Sequence, residues 1–286
     1  MIIYSGSELR GETAMSRTTV VTGAASGIGA ATALYLRARG SRVITSDLHH
    51  ADVIADLATE AGRAALIEGV RRLSGGRIDA VIANAGGGPP QTSIQLNFFG
   101  SVATLDGLRP LLADSPAPRA VAVSSVAALR PPNPSIAEAC LRLDEPAALA
   151  AARSMVSRDD GPPSATSGTP DEAQIPLELY GSAKYSLQRW CRQQAPKTQW
   201  AGAGIALNVV ALGFYDTPAA AYVLSEPSAR AAAGGMVPLR GAFPGRAEEA
   251  AAILAWCVSG ENSQMTGQVL YADGGLECRA RAESSP

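Results

Sequence analysis

Thr18 to Thr22 (TTVVT) is a β-branched run that stops at the glycines of Gly23-Ala-Ala-Ser-Gly27-Ile-Gly29, after which Ile28, Ala31, Leu34 and Tyr35 recur at helical spacing. A strand that feeds a helix through glycines admits few folds, and its repetition along the chain narrows them to one class. Arg42 to Ser46 reads as a second strand, Val53 and Ile54 as a short third, Thr59 to Leu73 as a helix and Asp79 to Ala83 as a fourth strand. A helix over Thr92 to Leu112 leads to a fifth strand at Ala120 to Ser124. The rhythm then breaks at an insertion, residues 130–176, with a helical pattern from Ile136 to Met155 and a loop at Gly161 to Pro170 (GPPSATSGTP). It resumes with a helix from Leu179 to Trp200, a strand at Ile205 to Ala211, helical segments between Thr217 and Ala233, a helix from Arg246 to Val258 and a last strand at Gln268 to Tyr271. Strands joined by helices imply right-handed crossovers and a parallel sheet covered on both faces. The expected fold is a single α/β domain of the Rossmann type, doubly wound around a seven-stranded parallel sheet. It occupies residues 17–278, after a flexible leader (1–16) and before a C-terminal tail (279–286).

Charge and composition exclude other classes. Lys plus Arg (24) nearly balances Asp plus Glu (26), so the chain lacks the basic surface that a phosphate backbone demands, and nucleic acid is not an expected partner. Apolar runs such as Ala250 to Val258 are too short for a bilayer, and Glu8, Arg10, Glu12 and Arg17 interrupt any apolar core of a secretory signal. No membrane association is expected, and the compartment expected is the cytoplasm. Cys140, Cys191, Cys257 and Cys278 are scattered, and the only histidines, His49 and His50, fall in a turn. Neither a disulfide framework nor a metal site is expected.

The glycine turn carries the first functional signal. Between a strand and a helix, Gly23, Ser26, Gly27, Ile28 and Gly29 let backbone N–H groups and the helix dipole approach a pyrophosphate. An ordinary tight turn has the same spacing, but here a carboxylate, Asp47, ends the second strand about twenty residues later, as dinucleotide binding requires. A carboxylate there accepts both adenosine-ribose hydroxyls and repels a 2′-phosphate. With no Arg or Lys in Ala24 to Ser26 or at Leu48, NAD is favoured over NADP.

The second signal is Tyr180-Gly-Ser-Ala-Lys184, whose ends share one helix face. A free tyrosine has a pKa of about 10, and a neighbouring cation favours its phenolate. The spacing alone is also met on ordinary exposed helices.

Taken together these motifs resemble the short-chain dehydrogenase/reductase family, over about Thr18 to Leu276. The glycine turn spans Thr22 to Gly29, Asn84-Ala85-Gly86 follows the fourth strand, and Asn97 stands in Asn97-Phe-Phe-Gly100. Ser125 ends Val-Ser-Ser, Tyr180 and Lys184 match the family's tyrosine–lysine pair, and Asp273-Gly-Gly275 closes the domain. Within the family, Ala51 to Val70, Gly87 to Thr92 and the insertion are similar to the bacterial 3α-hydroxysteroid dehydrogenase/carbonyl reductases. The resemblance implies a catalytic set of Asn97, Ser125, Tyr180 and Lys184. It also implies NAD contacts from Asp56 and Leu57 at the adenine, from Asn84, Ala85 and Gly86, and from Gly213 and Thr217 at the nicotinamide end, beside the glycine turn, Asp47 and Leu48. One departure is Leu212-Gly213 in place of the family's Pro-Gly, which is expected to loosen the backbone there.

The resemblance implies hydride transfer between nicotinamide and a secondary alcohol or ketone, with Tyr180 moving the hydroxyl proton, Ser125 bonding the same oxygen, and Asn97 supporting a water that links Lys184 to solvent. Ligands of such sheets bind at the carboxyl ends of the strands. Leu129, Phe214, Tyr215 and Tyr222 are therefore candidate substrate contacts, with Ile136, Leu141, Met155 and Met236 as further apolar wall residues. A bulky, mostly apolar, hydroxysteroid-like small molecule is the expected partner, and the assembly a homodimer or homotetramer. Two alternatives stay open: a carbonyl reductase of polyketide or xenobiotic ketones, and a catalytically silent NAD-sensing interaction protein. The silent protein would be expected to lack one of Ser125, Tyr180 or Lys184.

Overall fold

A computed structural model describes residues 16–157 and 171–284. The expected leader up to residue 15 and the loop Gly161 to Pro170 lie outside the described residues.

The first half alternates β1 (Thr18–Thr22), α1 (Gly27–Arg37), β2 (Arg42–Asp47), β3 (Val53–Ile54), α2 (Glu60–Ser74), β4 (Ala80–Ala83), α3 (Ser101–Leu108) and β5 (Arg119–Ser125). The insertion follows as α4 (Pro134–Leu141) and α5 (Glu145–Ser157), and then come α6 (Asp171–Gln194) and β6 (Ala206–Leu212). The chain closes with β7 (Tyr215–Asp216), α7 (Ala221–Leu224), α8 (Pro227–Met236), β8 (Gly245–Arg246), α9 (Ala247–Cys257), β9 (Val269–Ala272) and α10 (Leu276–Ser284).

Seven strands form one parallel sheet in the order β3-β2-β1-β4-β5-β6-β9. The order reverses between β1 and β4, and the crevice outside the carboxyl ends at such a switch point is where ligands bind. Successive strand residues face opposite sides, and the sequence fills both. Val20, Val81, Ala120, Ala122 and Val209 join one apolar layer with Leu66, Phe98, Leu105, Leu187 and Trp200. Val21, Ile82, Val121, Val123 and Val210 join the other with Ala33, Leu36, Ala250 and Leu254. Caps set the ends of α2: Thr59 Oγ1 accepts from Gly62 N–H at 3.0 Å, and Gly75 stops the helix at φ 71°.

Several expectations change. The helix expected over Thr92 to Leu112 is broken into a 3₁₀ turn at Pro90–Thr92, a π-helical turn at Gln95–Gly100, α3, and a 3₁₀ turn at Arg109–Leu112. The insertion's single helical pattern is two helices, because Leu143 turns the chain at φ 59°. α6 starts at Asp171, upstream of Pro176, and stops at Gln194, so Trp200 lies beyond it, fully buried. Residues 279–284 continue α10. The two-residue strands β7 and β8 pair with each other outside the main sheet.

Leu212 does not loosen the strand. It is buried, registers with Ser125 on one side and Ala272 on the other, and the next N–H, that of Gly213, donates to Ala272 C=O at 3.0 Å. β6 is thus held in the sheet up to its last residue. Among the described residues no helix is long and apolar enough to cross a membrane.

Candidate active site

The glycine turn is built by close approach. Gly23 and Gly27 adopt φ 68° and 53°, a region that favours glycine, and a Cβ on Gly29 would stand 2.0 Å from Gly23 C=O. Asn84 fastens the turn from β4: its side-chain amide donates to Thr22 C=O at 2.9 Å and Gly23 C=O at 3.2 Å, while Thr22 Oγ1 accepts from the N–H groups of Asn84 and Ala85. Ser26 precedes α1 without capping it, and the first turn of α1 carries no acidic residue. The first N–H groups of a helix have no partner within it, so this end suits an anion.

At the end of β2, Asp47 accepts from Ala25 N–H at 2.8 Å and from Leu48 N–H at 2.7 Å, which turns its carboxylate toward the glycine turn. Beyond β3, Asp56 is exposed and accepts from Ala58 N–H at 3.0 Å, whereas Leu57 is buried in the core. On the far side, a Cβ on Gly27 would lie 3.3 Å from Thr217 Cβ, so Thr217 borders the turn. Gly213 follows β6 packed on Asp273. A dinucleotide therefore fits what is present: a positive-φ cradle at an uncapped helix start, with a carboxylate at the edge.

Ser125, Tyr180 and Lys184 meet beside this cradle. Ser125 ends β5; its hydroxyl accepts from Ala127 N–H at 3.2 Å and stands near enough to the Tyr180 phenol to act on its titration. Gly181, next to Tyr180, lets α6 press onto this corner, since a Cβ there would fall 2.9 Å from Ala127 C=O. One turn on, the buried Lys184 ammonium donates to Val123 C=O at 2.9 Å and sits 5.7 Å from the Tyr180 ring centre. β5 and α6 are tied again where Gln188 donates to Ser124 Oγ at 3.0 Å and Ser124 Oγ donates to Lys184 C=O at 3.2 Å.

Burial dominates the electrostatics. Desolvation pushes the Tyr180 phenol up to about 12, against a smaller downward pull from the Ser125 hydroxyl, and the Tyr222 hydroxyl raises it further. The acidification expected from the neighbouring cation is not what the site shows, because burial governs the phenol. Desolvation likewise brings Lys184 down to about 8, still largely an ammonium at neutral pH.

Asn97 lies fully buried in the π-helical turn, a distortion that recurs at functional sites. Its side chain is a clamp on the loop after β4, donating to Gly87 C=O at 3.0 Å and Ser93 C=O at 2.9 Å and accepting from Gly87 N–H at 3.0 Å. A Cβ on Gly86 would lie 2.9 Å from Asn97 Oδ1 and 3.1 Å from Lys184 Nζ, so a side chain there would displace one or both of them. No sequence pattern marks Ser93, and the signal for Gly181 is its place next to the tyrosine.

The expected substrate wall is brought together only in part. Leu129 closes the turn after Ser125, and Tyr222, 73% exposed on α7, stands near enough to Tyr180 to act on its titration. Phe214 and Tyr215 instead line a separate cavity of about 710 Å³ with Val237, Glu249, Ile253 and Asp273, where Tyr215 donates to Ala272 C=O at 3.1 Å. Ile136 is fully buried, with Leu141 and Met155 packed against the same core layer, and Met236 is exposed on α8.

Residues 17–137 match the family model described as short chain dehydrogenase, and residues 164–277 the one described as Enoyl-(Acyl carrier protein) reductase. A 3-alpha-hydroxysteroid dehydrogenase/carbonyl reductase of Comamonas testosteroni is 32% identical over 92% of this chain and 97% of its own length. The chain belongs to the short-chain dehydrogenase/reductase family. Another relative, the cis-4-hydroxycyclohexanecarboxylate dehydrogenase of Sinomonas cyclohexanicum, is 28% identical over 93% of this chain and 98% of its own. Among solved structures, the 3-alpha-hydroxysteroid dehydrogenase from Pseudomonas sp. B-0831, complexed with NADH, superposes with a TM-score of 0.78 at 32% identity, covering 93% of this chain and 99% of that one. Membership in a short-chain dehydrogenase family accords with the geometry, in which Ser125, Tyr180 and Lys184 adjoin the dinucleotide cradle.

Proposed function

We propose that this protein is an NAD(H)-dependent oxidoreductase acting on a bulky, mostly apolar secondary alcohol or its ketone, of hydroxysteroid type. The observation that carries the reading is Ser125 beside the Tyr180 phenol, with Lys184 one helical turn away, at the carboxyl edge of the sheet next to the glycine cradle. Gly23, Ser26, Gly27, Ile28 and Gly29 receive the pyrophosphate, and Asp47 and Leu48 the adenosine ribose. Asp56 and Leu57 flank the adenine, Asn84, Ala85 and Gly86 line the ribose path, and Gly213 and Thr217 border the nicotinamide. When bound, NAD(H) supplies or accepts the hydride. At neutral pH Tyr180 keeps its proton, as an acid that protonates a ketone oxygen must, while Ser125 holds that oxygen in place. In the opposite direction the Tyr180 phenol first passes its proton to solvent, and the phenolate then takes the alcohol proton; positive charge nearby favours that phenolate, and Lys184 provides part of it and orients the nicotinamide ribose. Asn97 fixes the loop against which Lys184 rests. The hydroxysteroid class is supported by two relatives and by Tyr222 near Tyr180, while Phe214 and Tyr215 line the neighbouring cavity.

Four free thiols suit the cytoplasm, and the edge strand β9 with α10 is the surface through which two copies would pair, read by light scattering. The decisive experiment replaces Tyr180→Phe and follows hydroxysteroid oxidation and ketosteroid reduction. NAD binding, read from protein fluorescence, is retained, and turnover falls by about 10²–10⁴-fold. Turnover that survives the substitution rejects the assignment.

A further inference from the structure

One buried guanidinium ties the insertion to the cofactor side of the molecule. Arg63, in the first turn of α2, has a side chain only 11% exposed. Its Nη1 and Nη2 form a two-pronged pair with Glu145, at 2.6 and 2.9 Å. Glu145 begins α5, in a corner set by Leu143 at φ 59° and by Asp144, whose carboxylate caps Ala147 N–H. The remaining donors of Arg63 reach backbone carbonyls: Nε donates to Leu57 at 2.9 Å, and Nη2 to Ala58 at 3.3 Å and Gln95 at 3.4 Å. A planar fork of donors holds all these acceptors in one fixed arrangement.

The peptide between Leu57 and Ala58 is thereby engaged from both sides. Its C=O accepts from Arg63, and its N–H donates to Asp56 Oδ1 at 3.0 Å. The orientation of the Asp56 carboxylate follows from the tilt of that peptide, and Oδ2 is the oxygen turned free for a ligand. Gln95 opens the π-helical turn that carries Asn97, so the same guanidinium also braces the loop after β4.

We propose that Glu145, acting through Arg63, is a positioning residue for the adenine end of the cofactor site, so that the insertion sets cofactor affinity as well as flanking the substrate. This rests on the NAD(H) reading above. Removing the carboxylate leaves a mostly buried guanidinium short of its charged partner, so the fork tilts toward other acceptors and carries the Leu57 carbonyl along. Because coupling between two sites is reciprocal, occupancy of the adenine site must in turn steady the start of α5.

The full-length chain, Glu145→Gln and Arg63→Lys are titrated with AMP, which meets only the adenine half of the site, and with NAD, by calorimetry. The dissociation constants for AMP and NAD rise together by about 5- to 20-fold in both variants, within the usual range of such coupling. Unchanged AMP affinity in folded variants, whatever their melting temperatures, refutes the proposal, because a merely structural clamp lowers stability alone. In the unsubstituted chain, AMP slows amide exchange in the first turns of α5, and no slowing there refutes it equally. An unsubstituted chain that binds neither AMP nor NAD overturns the cofactor reading itself, a result visible before any variant is made.

Discussion

Replacing Lys184→Met should leave the protein as stable at neutral pH, or more so, while abolishing its turnover. Burial brings the ammonium from 10.5 down to about 8, and at about 1.4 kcal/mol per unit the ionised side chain costs the folded state about 3 kcal/mol at pH 7. Methionine fills similar space without charge but deprives Val123 C=O of the donor it has at 2.9 Å, a loss of about 1–3 kcal/mol. The difference leaves the variant level with the unsubstituted protein or up to about 2 kcal/mol ahead at pH 7, which is up to about 8 °C in melting temperature for a domain this large. The pH dependence identifies the cause. Between the folded value of about 8 and the unfolded value of 10.5, the unfolded chain binds more protons, so the unsubstituted protein gains stability as pH rises. By about pH 10 the penalty has fallen below about 1 kcal/mol, and the variant's lead disappears or reverses. Urea denaturation of both proteins at pH 7 and pH 10 measures this, with unchanged slopes showing that only stability moved. A variant less stable at pH 7, or one whose difference is the same at both pH values, refutes the argument. The expected outcome is a trade of stability for activity at one side chain.

Asp47→Ala removes the carboxylate that Ala25 and Leu48 hold, so NAD affinity should fall by about tenfold or more while NADP affinity falls less or rises; fluorescence titrations with the two dinucleotides decide it. At the other end of the sheet Asp79 is partly desolvated, which raises its pKa. The Thr18 N–H, the Ser115 hydroxyl, Arg77 and Arg17 outweigh this and hold the carboxyl below its usual range. Its contribution is therefore complete above the ordinary carboxylate pKa and is lost as pH falls through the lowered value. Asp79→Asn should cost about 1–3 kcal/mol at pH 7 and flatten the acid limb of melting temperature against pH between about pH 5 and pH 2.

What the sequence displays plainly is whatever depends on local periodicity or on a residue with no substitute. Val20 and Val21, or Ile82 and Val81, divide between the two sheet faces as period two demands. Gly23 and Gly27 announce their turn because few other residues accept its φ, and the four-residue step from Tyr180 to Lys184 fixes a shared helix face. Features decided by distant contacts are hidden. No local pattern marks the π-helical turn around Asn97, and Pro176 masks the earlier start of α6 because an interior proline forfeits a helical hydrogen bond. Phe214 and Tyr215 sit two and three residues past β6, where the pairing of β7 with β8 turns them toward α9. The Tyr180 titration reverses expectation for the same reason: spacing places the cation nearby, but desolvation is set by the packing around both groups.

Arg17 has a role out of proportion to its place just before β1. Its guanidinium donates to Asp79 C=O at 3.1 Å, Ala117 C=O at 2.8 Å and Val258 C=O at 3.0 Å, three carbonyls from segments far apart in the chain. A version of the protein shortened to begin after this arginine would keep every catalytic side chain and still lose the rivet that gathers the lower rim of the sheet.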